Sequence, residues 1–280
     1  MKFGLTTDCS RPCGVTVEFA REAERLGYHC LWVADQNLYR DVYTTIAMCA
    51  LETRHMKLGI GVTNPLTRHP AITAAASATA DELSDGRLTI GLGIGSYRNL
   101  LLPLGIERPK TDLCLRESLQ IMKMFLGGEP VQFKGEFFNV NSEGLGFRCR
   151  DIPILIASRS QRTLRLAGEM ADGVIISSLT TPRAITYATT NVKAGLRKRK
   201  DRHDFQIVLW TRLSIHDDQS KAVEALRPHV PYRIWDDNPH TLEKLGYDSE
   251  VASQIRDLYS KGEFSLAQRI VTKEMLDDFG

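Results

Sequence analysis

Long hydrophobic runs are missing from this sequence. No apolar stretch approaches the roughly 18 residues that a membrane-spanning helix needs. The opening residues, Met1-Lys2-Phe3-Gly4-Leu5-Thr6-Thr7-Asp8, are too short and polar for a secretory leader and read as a strand. Cysteine is scarce. Cys9, Cys13, Cys30, Cys49, Cys114 and Cys149 are scattered along the chain, which argues for reduced thiols in the cytoplasm and against a disulfide framework. Cys9 and Cys13 stand at the spacing of half a metal site, but no second pair or Cys/His cluster accompanies them, so no metal is expected. An excess of one charge is lacking too: 36 basic and 34 acidic residues are interspersed and leave a net charge of +2. Nucleic-acid binders carry a strong basic excess or a basic stripe. The one dense basic run, Arg197 to Arg202, falls at the end of an expected surface helix and reads as a solvated face. Neither nucleic acid nor a membrane is an expected partner.

What is present is ordinary globular material, 42% hydrophobic and 25% charged, enough for a sizeable core. Short β-branched runs alternate with longer amphipathic segments. Strands are expected at 2–7, 30–34, 57–62, 87–95, 153–157, 173–177 and 205–215. Helices are expected at 14–27, 42–53, 70–83, 112–126, 161–170 and 182–200, the first burying Phe19, Ala20, Ala23 and Leu26. Pro70 suits a first helical turn, and Asp217-Asp218 opens a further helix with acidic residues at its positive end. The rhythm breaks at 129–150, where Val131 to Val140 reads as two short strands about a glycine turn. Beyond Pro228 the chain reads as helical or irregular.

Strands alternating with helices imply parallel βαβ units, in a doubly wound sheet or a barrel. Seven core strands are legible, and an eighth would have to begin near Asp277. No Pro/Gly/Ser-rich linker divides the chain, so residues 1–280 are expected to form one domain. The fourth strand ends in Gly91-Leu92-Gly93-Ile94-Gly95-Ser96. This is not a dinucleotide fingerprint: the third glycine falls at Ser96, the strand is not the first, and no helix begins at once. The glycines instead mark a strand end that something can approach closely.

Three segments carry a family resemblance: Trp32-Val33-Ala34-Asp35-Gln36; Lys57-Leu58-Gly59-Ile60-Gly61-Val62-Thr63-Asn64-Pro65 on to Pro70; and Leu83-Ser84-Asp85-Gly86-Arg87 on to Ser96. Together they resemble luciferase-like monooxygenases, and more closely their coenzyme F420-dependent branch, over about residues 1 to 215. The resemblance implies an α/β fold, a TIM-type (β/α) barrel; with seven strands legible, the expectation is a barrel lacking or truncated before its eighth strand. Its cofactor would lie at the C-terminal strand ends, where such barrels build their sites.

It also implies a cofactor-binding set. Gly61, Val62, Thr63 and Asn64 would lie against the ring, with a cis peptide at Gly61–Val62. Gly95, Ser96 and Asn99 would follow, Asn99 offering donor and acceptor to the ring's polar edge. Ser158, Arg159, Ser160 and Gln161, at a helix start, would receive the cofactor's phosphate. Relatives place a Gly-Pro turn there, so the alternatives are an arginine fork, a filled space, or a plain helix cap. Asp35 and Gln36 take the catalytic positions. Where many relatives have Asp-His this chain has a glutamine, which cannot serve as acid or base near neutral pH. His69, followed by Pro70, reads as packing at a helix entry. Tyr232 and Trp235 either cover a pocket or pack a helix.

The expected activity is hydride transfer between F420 and a small organic substrate, in a homodimer. The alternatives are an FMN-dependent monooxygenase and a non-catalytic flavin-binding scaffold.

Overall fold

The computed structural model describes residues 1–280 except 37, 108, 148, 179, 200–203, 238 and 280. Part of the basic run at 197–202 therefore lies outside the described residues. The alternation holds in chain order: β1 (Gly4–Asp8), α1 (Cys13–Arg25), β2 (Cys30–Ala34), α2 (Val42–Glu52), β3 (Lys57–Thr63), α3 (Pro70–Ser84), β4 (Leu88–Leu92) and α4 (Thr111–Leu126). The ribbon β5 (Val131–Lys134) and β6 (Asn139–Ser142) follows, as expected for the excursion, then β7 (Ile154–Ala157), α5 (Gln161–Met170), β8 (Gly173–Ser177), α6 (Pro182–Leu196) and β9 (Gln206–Trp210). The remainder is helical: α7 (Gln219–Leu226), α8 (Val230–Asp236), α9 (Pro239–Lys244), α10 (Ser249–Ser260), α11 (Phe264–Arg269) and α12 (Lys273–Phe279).

Strand order in the parallel sheet is β1-β2-β3-β4-β7-β8-β9, which is chain order with the β5–β6 ribbon set aside. This is the (β/α) pattern of a TIM-type barrel carried through seven strands. Among the described residues there is no eighth, and Asp277 belongs to α12.

The chain divides into two compact units. The first holds residues 1–157 and 170–173, the second 158–169 and 174–280. In the first, β1 to β4 and β7 pair in parallel. Leu31, Leu58, Ile60, Ile90 and Leu92 fill its interior with Ile46, Leu115, Leu119 and Ile121 from the helices. Burial of each such side chain contributes about 1.5–3 kcal/mol. Gly59 is small because the Trp32 ring crosses it: a Cβ there would stand 2.2 Å from the indole.

The N-terminal strand ends are tied by buried charge. Arg87, 8% exposed, puts every N–H on an oxygen: Nε on Ser84 O, Nη1 on Thr53 Oγ1 and Met56 O, Nη2 on Ala50 O and Thr53 O, at 2.6–3.0 Å. Glu24 accepts from the amides of Arg54, His55 and Met56 as the chain enters β3. Glu117, buried on α4, does the same for the turn of the β5–β6 ribbon, accepting from the amides of Glu136, Phe137 and Phe138 at 2.8–3.2 Å.

In the second unit α5 and α6 cross at bare backbone. A Cβ on Gly168 would lie 2.2 Å from Val192 O, and one on Gly195 2.0 Å from Arg165 O. Tyr232, Trp235, Tyr259 and Phe264 pack on one another with centroids 4.7–6.3 Å apart, and Trp235 Nε1 donates to Ser260 Oγ. Tyr232 and Trp235 thus pack helices.

Four expectations need correction. In α1 the buried stripe is Thr16, Val17, Ala20 and Ala23, while Phe19 and Leu26 are exposed. Small residues let that helix lie close, and the stripe is turned accordingly. The fourth strand stops at Leu92, because the chain turns through a positive φ at Gly95. A π-helical turn, Tyr97–Leu101, then begins directly, capped by Ser96 and burying Leu100 and Leu101. The seventh core strand ends at Trp210. Leu213 and Ile215, which continue its apolar pattern, are exposed, since β9 is last in the strand order and they have no further strand to pair with.

Candidate active site

The C-terminal ends of β1 to β4 bring together, within the first unit, most of the residues expected to face a ring. Asp35 follows the last residue of β2, and its Oδ2 accepts from Thr63 Oγ1 at 3.1 Å. Thr63, the last residue of β3, in turn accepts from the buried Tyr43 hydroxyl at 3.3 Å. Tyr43 is held from α2, with the Arg68 guanidinium 4.5 Å from its ring centroid, and Arg68 pairs with the α2 cap Asp41 at 2.5 Å. Two hydroxyls in series therefore point at one carboxyl. Burial pushes Asp35 above the usual carboxylate range, although Thr63 and Arg68 pull it down.

The Gly61–Val62 peptide is cis, as the resemblance implied, and the β3–β4 register shifts between Ile60 and Thr63. Across from it, Gly93 N–H donates to Thr63 O at 3.0 Å, and a Cβ on Gly93 would stand 2.8 Å from Val62 Cγ2. Asn64 is buried and occupied at both ends: its Nδ2 donates to Ile94 O, and its Oδ1 accepts from Leu66 N–H at 2.8 Å. It ties the two strand ends together and has less to offer a ligand than its residue type suggests. Gly95 has φ +66°, and its missing side chain leaves the backbone bare beside Asn64. Ser96 Oγ accepts from Asn99 N–H at 3.2 Å, which leaves the Asn99 side chain exposed.

A flat ring with a polar edge fits these residues. They provide a bare backbone position at Gly95, an exposed amide at Asn99 and a half-buried carboxyl at Asp35 whose Oδ1 takes no hydrogen bond from the described residues.

Gln36 does not join Asp35. Its Nε2 donates to Asp8 Oδ2 at 3.2 Å, and Asp8 Oδ1 accepts from Ser10 N–H and Ser10 Oγ. Against the effect of burial, those bonds hold the Asp8 carboxyl low. Asp8 was missed in the sequence, though it ends β1 as Asp35 follows β2; position relative to strand ends was the available signal. His69 caps α3, its Nδ1 accepting from Ala71 N–H at 3.2 Å, and its ring meets Phe138 edge-on at 5.3 Å. Cys9 and Cys13 both contact Thr45 Oγ1, at 3.8 and 3.7 Å.

The segment expected to receive phosphate lies in the second unit. Ser158 Oγ accepts from Ser160 N–H at 3.0 Å, and Ser160 Oγ donates to Thr163 Oγ1 at 2.9 Å while receiving Thr163 N–H at 3.4 Å. Ser160 caps the helix that begins at Gln161. Arg159 is turned onto Asp237: its Nε and Nη2 reach Asp237 Oδ1 at 2.8 and 2.6 Å, and both side chains are largely buried. Its fork is already engaged. No pattern of spacing could have shown a partner 78 positions away.

The sequence pattern of the luciferase-like monooxygenase family matches residues 5–280. The 5,10-methylenetetrahydromethanopterin reductase of Archaeoglobus fulgidus is 34% identical over 284 aligned residues, covering 100% of this chain and 85% of the relative. That of Methanolobus tindarius is 32% identical, covering 100% and 86%. Among solved structures, the coenzyme F420-dependent tetrahydromethanopterin reductase of Methanopyrus kandleri superposes with a TM-score of 0.87 at 26% identity, covering 100% of this chain and 85% of that one.

Proposed function

Because the chain belongs to the luciferase-like monooxygenase family, we propose that it is an oxidoreductase moving a hydride between coenzyme F420 and a small organic substrate. One observation carries the reading. The hydroxyl chain from Tyr43 through Thr63 to Asp35 stands at the same strand ends as the cis Gly61–Val62 peptide, in a chain 34% identical to a methylenetetrahydromethanopterin reductase.

Bound F420 supplies or accepts the hydride at its ring. The protein's part is to seat, orient and balance charge. The bare backbone at Gly95 offers a seat, and the exposed amide of Asn99 offers a donor and an acceptor to a heterocycle's edge. Asp35 holds a proton at Oδ1 more readily than an exposed aspartate, since burial favours its neutral form and Thr63 fixes the other oxygen. Gln36 takes no proton; it orients Asp8.

The substrate to assay first is 5,10-methylenetetrahydromethanopterin, which names the relatives' activity. The six free thiols suit a reducing cytoplasm. A homodimer would give the exposed Ile207, Leu209, Leu213 and Ile215 a surface to cover them.

Titration with F420 and, separately, with FMN tests the proposal, followed by absorbance and fluorescence. Micromolar binding of F420 in preference to FMN is expected. Preference for FMN would move the assignment to a monooxygenase, and binding of neither at high micromolar concentration would leave a non-catalytic scaffold.

A further inference from the structure

Arg233 on α8 contrasts with Arg87. Both guanidinium groups are drawn into the protein, yet Arg87 has an acceptor for every N–H whereas the buried Nε of Arg233 has none among the described residues. Its Nε is wholly out of solvent, and its one described contact is the Tyr232 ring, 5.6 Å from the guanidinium carbon. Leaving a charged donor without an acceptor is costly, and proteins that use arginine as a strut fill its bonds as Arg87 does.

The surroundings make the vacancy more pointed. Asp237 is the carboxylate within electrostatic reach, but its Oδ1 is bonded by Arg159, and its main-chain oxygen accepts from Arg256 Nη2. Its Oδ2 is buried without a hydrogen-bond partner among the described residues. Asp236, next in the chain, is the other carboxylate felt at Asp237. Two further arginines, Arg159 and Arg212, are close enough to repel Arg233. Burial first, then that repulsion, brings the Arg233 guanidinium down to about 10, so it stays cationic at neutral pH. His229 is pushed below its usual range by burial and then by Arg212 and Arg233. Arg159 follows β7 and Arg212 stands two residues beyond β9, so the group gathers at C-terminal strand ends, the end that carries function in such folds.

We propose that Arg233, with Arg212 beside it, is an oxyanion subsite that binds a phosphate or carboxylate group of a ligand, while Asp237 holds Arg159 out of that role. Arginine's planar fork matches both groups, and an acceptor brought by a ligand would fill bonds the protein leaves open. The anionic group belongs either to the cofactor's phosphorylated tail or to the substrate. That choice of source rests on the proposed oxidoreductase reading, but the existence of the subsite does not.

The test measures inorganic phosphate binding to the full-length protein by thermal shift and calorimetry, in wild type, Arg233→Gln and Arg212→Gln. Phosphate affinity should fall roughly tenfold or more in each variant, the scale of one lost charge-assisted hydrogen bond. Arg212 is exposed, so its variant keeps the test open should Arg233→Gln fail to fold. F420 and FMN are titrated in parallel, with riboflavin as the phosphate-free control. If cofactor affinity falls with phosphate affinity while riboflavin is unaffected, the subsite serves the tail. If phosphate affinity alone falls, it serves the substrate. Absence of phosphate binding to wild type, or equal binding by both variants, overturns the proposal. Wild type that binds phosphate as described but neither cofactor would remove the oxidoreductase reading and leave the subsite standing.

Discussion

Asp35, the proposed acid of the site, is held at some cost to the fold. Its carboxyl titrates above the ordinary aspartate range because of burial. Between the unfolded value, about 4, and the raised folded value, the native state holds more protons than the unfolded chain. Stability therefore falls as pH rises through that window, and the contribution is fully present only below it. Asp35→Asn removes the titration. Relative to wild type, the variant should gain stability between pH 4 and pH 7 in urea unfolding, while turnover with F420 drops. An unchanged stability difference at the two pH values would refute the assignment. The residue type and its place after a strand were visible in the sequence, since strand ends of such folds carry function. The Tyr43–Thr63 chain behind it was not, because hydrogen bonds from the next helix and the next strand depend on register that local pattern does not encode.

At the scale of elements, close approach is what the glycines decide. Gly168 and Gly195 let α5 and α6 meet through their main chains. Gly168→Ala should lower stability by about 1–3 kcal/mol by overpacking, read as a loss of roughly 2–10 °C in Tm. If the variant unfolds at the wild-type temperature, the helices do not cross as described. Elements with strong periodicity and clear stops were legible: β2, α5 and β8 fall where the sequence pattern places them. The misplacements have a common cause. The α1 stripe, the end of β9 and the π-helical turn after β4 depend on what lies opposite, and a one-dimensional pattern carries no record of it. The partner of Arg159 was equally out of view: an arginine fork was one alternative for its segment, and folding gave it Asp237.

On the scale of the molecule, the supports of the first unit and its candidate chemistry sit at opposite strand ends. Arg87 and Glu24 gather main-chain groups where β3 and β4 begin, whereas Asp35, Thr63, Asn64 and Gly95 stand where β2, β3 and β4 finish. Arg87→Met strips five hydrogen bonds and leaves the carbonyls of Ala50, Thr53, Met56 and Ser84 short of a donor. The expected loss is about 3 kcal/mol or more, with a lower Tm but an F420 dissociation constant unchanged in protein that remains folded. A weakened cofactor affinity of the same order would show that the two ends are coupled. Their separation has an evolutionary reading. Substitutions at the candidate end need not disturb the residues that anchor the strands, so the two ends are free to change independently. The Arg87 clamp, at the strand ends opposite the candidate site, is in that sense a source of evolvability.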